Sequence, residues 1–376
     1  MDKDLAARVE SVLAESGLTR AKFAAAVGMD SSKLSKALSG RRRFSSLELA
    51  LVAEVGKRTV DWLLTGKQPA SLRFARRATM LSAEIESAGT DTVTALVGRF
   101  RGLEAIGRPM NVPELPHPRL RTNSYVAAAR GMATLCVEAL GDVRLSNLDN
   151  LDLIDAIENA FGVLVVVRDL PDGIDGLTYE EGNIRVIVLA ATDQPFRQRF
   201  TLAHELAHVV FGDAEQGLIE EQLWAMRSTE ESRANTFAAA FLAPAGEVVE
   251  LLGQRAATEA FDELVMRFRL TPKSLAWCLF NQGLLSESDR DRYLHATARG
   301  VAMRSDKTAY YAELASSSAQ ERPAWSMVSE YLRAYHAGEV TLKPVATLLG
   351  WSLEYAQEFF EGFDEISDAE DGLAEA

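Results

Sequence analysis

The sequence predicts a mostly α fold with one small β-sheet (α+β): an N-terminal five-helix domain, a core that contains the sheet, and a helical C-terminal region. Three observations predict it. Residues 4–66 show short apolar stripes at helical spacing, separated by glycines. Only two runs are rich in β-branched residues, Val163–Val167 and Ile184–Leu189. From Arg197 onward the pattern is helical again.

In the first segment Leu5, Val9, Val12 and Leu13 form one stripe, Phe23, Ala24 and Val27 a second, and Leu34 and Leu38 a third. Leu47–Val52 and Val60–Leu64 complete five helices, with Gly17, Gly28, Gly40 and Gly56 as stops. Lys67–Ala70 reads as a boundary. Residues 72–106 again have a helical pattern, and Arg108–Pro118 an extended one with Pro113, Pro116 and Pro118. A helix over roughly Tyr125–Leu140 precedes the strands, and Asp172-Gly173 and Asp175-Gly176 are expected to turn between them. The domains expected are 1–68, a helical linker 69–122, a core 123–245, a helical segment 246–300 and a C-terminal region 301–376. Within the last two, Phe261–Leu285 (turning at Leu270-Thr271-Pro272) and Trp325–Phe360 repeat a helix–turn–helix rhythm. Trp277, Trp325 and Trp351 read as core aromatics. Glu361–Ala376 holds seven acidic residues and no basic one, so a frayed tail is expected.

The 376 residues suffice for two or three domains. No apolar run approaches the length of a membrane span, so no transmembrane helix is expected. Met1–Asp4 lacks the features of a signal peptide, and the two cysteines, Cys136 and Cys278, fit no metal pattern; a cytoplasmic protein with reduced thiols and no membrane partner is expected. The net charge of −14 is uneven. Residues 1–70 carry 12 basic and 8 acidic side chains, the rest 28 and 46. Nucleic-acid contact is therefore expected at the N-terminal end alone.

His204-Glu205-Leu206-Ala207-His208 carries the chemistry. Two histidines four apart stack on one helix face and reach one ion, and neutral imidazole suits Zn2+. Glu205 lies about 100° around the helix, placed to take a proton from a water that the ion has acidified without ligating the ion itself. A catalytic zinc needs a third protein ligand. Glu231 fits, because Asn235 one turn on can accept a hydrogen bond from a ligand histidine. Glu230 competes, but residue 234 is alanine. Tyr179 and His295 are candidates for a transition-state donor by residue type alone.

Two resemblances follow. Arg199–His208, then Glu231-x-x-Ala234-Asn235-x-Phe237-Ala238-Ala239 and Leu242-Ala243-Pro244, with Asp169-Leu170 and Gly176-Leu177 ahead of them, resemble the ImmA/IrrE-type metallopeptidases over roughly residues 123–245. The resemblance implies a gluzincin-like core, with His204, His208 and Glu231 as zinc ligands and Glu205 as base. It implies limited proteolysis of helix-turn-helix repressors that control phage, mobile-element or stress genes. Residues 4–66 resemble the XRE/Cro helix-turn-helix regulators. Thr19 caps one helix of the motif, Gly28 permits its turn, and Asp30 or Ser31 caps the next. Ser31, Ser32, Lys33, Ser35 and Lys36 are left on a free face suited to the major groove, and Arg41, Arg42 and Arg43 to phosphates.

The expectation is thus a DNA-binding regulator with a zinc endopeptidase domain. Its partners would be operator DNA and a repressor substrate, another protein or itself, and it could act as a homodimer. The alternative is a transcription factor or antitoxin-like regulator whose peptidase fold senses or binds without significant proteolysis.

Overall fold

The computed structural model describes residues 3–56, 60–65, 73–76, 83–117, 124–171, 173–212 and 223–360. The chain divides into two compact units, Met1–Ala70 and Ser71–Ala376. The expected boundary residues Lys67–Ala70 and the tail Glu361–Ala376 lie outside the described residues.

The first unit contains α1 (Lys3–Glu15), α2 (Arg20–Ala26), α3 (Ser31–Leu38), α4 (Ser46–Val55) and α5 (Val60–Thr65). Val9, Val12, Phe23, Val27, Leu34, Val52 and Leu63 form its core. Thr19 caps α2 by accepting from Lys22 N, and Asp30 rather than Ser31 caps α3 by accepting from Lys33 N at 2.7 Å. Between them Gly28 adopts φ +70°, the left-handed conformation that the tight turn requires.

The second unit begins with β1 (Arg73–Arg76) and α6 (Ala83–Ala105), followed by α7 (Tyr125–Ala139) and α8 (Asn150–Phe161). Then come β2 (Leu164–Arg168), β3 (Ile174–Glu181) and β4 (Ile184–Ala190). The sheet order is β1-β3-β4-β2; β1/β3 and β3/β4 are antiparallel and β2/β4 is parallel. β2 and β4 are buried along almost their whole length, as strands covered on both faces must be. Val165, Val167, Ile187 and Leu189 face the main core, where they join Leu153, Ile157 and Phe161 of α8.

Two sequence expectations are corrected here. Residues 72–106 are not helical throughout, because Arg73–Arg76 pairs as a strand with the outer edge of β3. Asp175-Gly176 does not turn but lies inside β3, and only Gly173 (φ +91°) bends the chain ahead of it. Gly176, paired with Ala75 on one side and Leu189 on the other, overrides the local turn preference of the Asp-Gly pair.

Two helices dominate the rest: α9 (Pro195–Phe211), which packs on β3 and β4, and α10 (Leu223–Leu242), which packs between α7 and α9. Helices α11 (Ala245–Leu252), α12 (Phe261–Phe268), α13 (Pro272–Asn281) and α14 (Glu287–Tyr293) follow. The chain continues through α15 (Ala298–Arg304), α16 (Thr308–Ser318), α17 (Trp325–His336) and α18 (Lys343–Leu349), and residues 353–360 are also helical. Leu270–Pro272 forms the turn between α12 and α13, with Thr271 as cap.

These late helices share the core of the second unit. Phe261, Leu264, Leu275, Leu279 and Val301 belong to the same buried cluster as Leu202 and Leu206 of α9. Arg322 bridges to Val167 at the free edge of β2 and donates to Asp155, Glu158 and the carbonyl of Val165. Trp277 (39% exposed) and Trp325 (46%) are not core residues: each is open to solvent, and the Trp277 ring is covered in part by the Arg290 guanidinium, 4.3 Å above it. Among the described residues no helix is long and apolar enough to cross a membrane.

Candidate metal centre

Helix α9 starts on Pro195, whose fixed φ suits a first helical turn. It is clamped near that end by Arg199. The Arg199 guanidinium is buried and donates to the carbonyls of Leu145 and Asp149, and burial, with the Arg269 charge nearby, pushes its pKa down to about 9. Ala203, Leu206 and Ala207 are fully buried, so the helix cannot roll without opening the core. Its polar face is thereby fixed, and it carries His204 and His208.

The two imidazoles converge: Nε2 to Nε2 is 3.3 Å, and the rings meet edge to face with centroids 5.0 Å apart. Helix α10 brings Glu231 to the same point. Its carboxylate oxygens lie 3.2 Å from His204 Nε2 and 3.6 Å from His208 Nε2. Ala234, Phe237, Ala238 and Phe241, all buried, hold α10 in place. The ligand atoms of His204, His208 and Glu231 fall within 4.8 Å of one another, the one such group found among the described residues. Two imidazole nitrogens and one carboxylate oxygen around a common point form a donor set that could hold a metal ion. The expected ligands meet here.

Glu205 is fully buried beside this cluster. Its Oε2 accepts from the Thr178 hydroxyl at 2.5 Å, whereas Oε1 has no hydrogen-bond partner. A buried carboxylate oxygen without a donor is costly, and it marks a position that water or a ligand fills. Burial pushes the Glu205 carboxyl up, while the nearby His204 and His208 and the Thr178 hydroxyl act in the opposite direction. The geometry thus offers a cation site and a proton acceptor side by side.

Strand β3 makes this contact possible through Gly176. A Cβ there would stand 2.8 Å from Thr201 Cγ2 and 3.2 Å from Glu205 Cγ, so only glycine allows the strand this close to α9. Opposite β1 the register shifts between Ala75 and Arg76, which leaves Asp175 as the extra residue on β3. Asp175 pairs with Arg197 of α9 at 2.5 Å. The sequence reading gave Thr178 and Arg197 no role at the site, and it took Asp175-Gly176 for a turn. The signal that could have found Thr178 and Gly176 is their period-2 spacing on a strand flanking the metal helix.

A cavity of about 840 Å3 opens over the cluster, lined by His204, Glu231, Asp175 and Arg197 and extending to Lys273 and Trp277 on α13. That volume suits a short stretch of peptide. Asn235 lines it too, but it is exposed and among the described residues its side chain makes no hydrogen bond to either histidine. Tyr179 points its hydroxyl at Glu181 (2.8 Å), and His295 is exposed on the loop after α14. Neither lines the cavity. Cys278 does, but burial holds the Cys278 and Cys136 thiols up at about 12, too high to furnish thiolate nucleophiles.

In the first unit Ser31, Ser32, Lys33, Ser35 and Lys36 are exposed on α3, whereas Leu34 and Ala37 are buried. Arg41 and Arg43 are exposed as well. Arg42 differs: its guanidinium forms a two-pronged pair with Glu48 (2.7 and 2.9 Å), which also accepts from Ser45 N while Ser45 Oγ caps Glu48 N. That reciprocal cap fixes the start of α4 and engages the Arg42 side chain in the fold.

Comparison with known proteins adds one match. Residues 158–277 match the family model described as the IrrE N-terminal-like domain, of the peptidase M78 family. The match spans β2 to β4, α9, α10 and the cavity wall on α13, so this region is similar to a metallopeptidase-like domain of the IrrE kind. No curated protein matches the chain.

Proposed function

We propose that this chain is a DNA-binding transcriptional regulator whose second unit is a zinc metalloendopeptidase, cutting a repressor protein, a partner or itself, to control phage, mobile-element or stress genes. One observation carries the enzymatic half: His204, His208 and Glu231 converge while the unpartnered Glu205 Oε1 lies beside them.

His204 and His208 would hold a zinc ion through Nε2 and Glu231 through a carboxylate oxygen, and the ion would supply Lewis-acid chemistry for a peptide carbonyl and for water. Glu205 Oε1 accepts the proton of the attacking water and later delivers it to the leaving amine. Thr178 keeps the carboxylate in that orientation through Oε2.

The regulatory half rests on charge and exposure. Lys33, Lys36, Arg41 and Arg43 are exposed on or just after α3, the helix that follows the Gly28 turn. Ser31, Ser32 and Ser35 share its free face and would reach base edges, with the arginines on phosphates. The XRE-like arrangement, operator DNA as partner and a homodimer on a palindromic site belong to this proposal.

The deciding experiment measures metal content and cleavage for wild type and Glu205→Gln, offering the chain itself and a repressor encoded beside it. Zinc retained and cleavage lost in the variant is the expected result. Absence of cleavage by wild type under every inducing condition would favour the non-proteolytic sensor. Lys33→Ala with Lys36→Ala is expected to weaken operator binding in a mobility-shift assay, and unchanged affinity would remove the groove assignment.

A further inference from the structure

Strand β3 lies beside the metal helix, and one of its two edges is consumed by β4 over residues 176–181. Its other edge is the one a peptide could join. An extended chain docks on a sheet edge by adding main-chain hydrogen bonds, so a free edge next to a reactive carboxylate is a ready place for a peptide substrate. The residues along that stretch connect it to the chemistry. Gly176 approaches Glu205, Thr178 donates to Glu205, and Asp175 lines the cavity together with His204 and Glu231.

That edge is already taken. Arg73–Arg76 runs antiparallel along it, with Arg73 opposite Thr178, Phe74 opposite Leu177, Ala75 opposite Gly176 and Arg76 opposite Ile174. The pairing ends at Asp175 and Ile174, where the bulge leaves Asp175 at the cavity wall. The resident strand is four residues long, so its hold on the edge is weak by comparison with β4, which meets β3 over six.

We propose that Arg73–Arg76 is a resident strand occupying the place of the substrate: a peptide to be cut adds antiparallel to the outer edge of β3 and must displace this segment first. The idea rests on the metallopeptidase reading of the same site. It makes β1, at the start of the second unit, an internal competitor for the place of the substrate backbone. The apparent affinity for substrate is then reduced by the fraction of molecules in which the edge is open.

Binding, rather than cleavage, tests this. The full-length chain carrying Glu205→Gln is titrated with a fluorescent synthetic peptide of residues 70–80 of this sequence. The same titration is made after adding Ala75→Pro, whose ring removes a backbone N–H and leaves the ladder. A second variant, Phe74→Gly with Ala75→Gly, weakens the strand without proline and covers the case in which the first misfolds. Both variants are expected to bind the peptide at least about tenfold more tightly than the parent, with an unchanged melting temperature. Amide exchange at residues 174–178 is expected to be fast in the free variants and slow again with peptide. Equal affinities in parent and variants, or no binding by any of the three, would overturn the proposal. Because no turnover is needed, a chain that cleaves nothing removes the proposed function and leaves this measurement standing.

Discussion

The Thr178 hydroxyl donates to Glu205 Oε2 across 2.5 Å, and so a strand residue orients a carboxylate that belongs to the metal helix. Of the two oxygens, one is thereby anchored and the other is left for chemistry. Thr178→Val keeps the size of the side chain and deletes the donor. Its kcat is expected to fall about 10–100-fold, the usual cost of losing such a supporting contact, with zinc content unchanged. Thr178→Ser restores the hydroxyl and most of the rate; a Val variant with wild-type kcat would show that the contact does not position the base.

Gly176→Ala tests the close approach of strand and helix. The added methyl meets Thr201 Cγ2 at 2.8 Å, and the strand must retreat. A loss of about 1–3 kcal/mol in denaturant unfolding is expected, together with reduced activity. Thr201→Ser removes the methyl group in the way, so the double variant should recover much of that loss.

Removal of metal should expose the cost of burying Glu205. Burial raises its folded pKa above the unfolded value, so in the metal-free chain the folded state binds the proton more tightly. The sign follows: that contribution to stability is fully present below the unfolded pKa and is lost as pH rises through the raised folded pKa. Metal-free Glu205→Gln is therefore expected to melt a few degrees above the metal-free wild type at neutral pH. The gap should narrow as the solution is acidified toward the carboxylate range; differential scanning calorimetry at several pH values measures both.

Zinc should raise the melting temperature of the wild type and do so in proportion to the logarithm of its free concentration. Glu231→Ala deletes one of three ligands. The variant is expected to lose most of that shift and to purify with little zinc, by elemental analysis. A full zinc complement in Glu231→Ala would move the third ligand elsewhere, with Glu230 next in line.

Arg322 lies far along the chain from the motif, yet it donates to Glu158 Oε2 at 2.8 Å while Glu158 Oε1 accepts from Val165 N. Arg322→Met strands a buried carboxyl and is expected to cost about 3–5 kcal/mol in urea unfolding. Adding Glu158→Leu removes the stranded charge and should restore part of the stability. Equal stability of Arg322→Met and wild type would mean that the C-terminal helices are not held to α8 through this contact.

The sequence alone determined the chemistry-bearing elements, because their signals are local. The spacing of His204 and His208, the caps at Thr19 and at Asp30 or Ser31, the strands at Val163–Val167 and Ile184–Leu189, and the stripe Ala234-Phe237-Ala238-Phe241 are all written within a few turns of chain. Only the tertiary structure decided what sits around them. Thr178 reaches Glu205 across 27 residues, and Arg322 reaches Glu158 across 164. Asp175-Gly176 looked like a turn because Asp-Gly favours one locally; pairing on both sides of β3, and the space that only glycine leaves against α9, made it a strand. Arg73–Arg76 looked helical for the same reason, and an open sheet edge made it β1. Periodicity reports what a segment prefers by itself, whereas an edge, a close approach or a buried carboxylate exists only once distant segments have met.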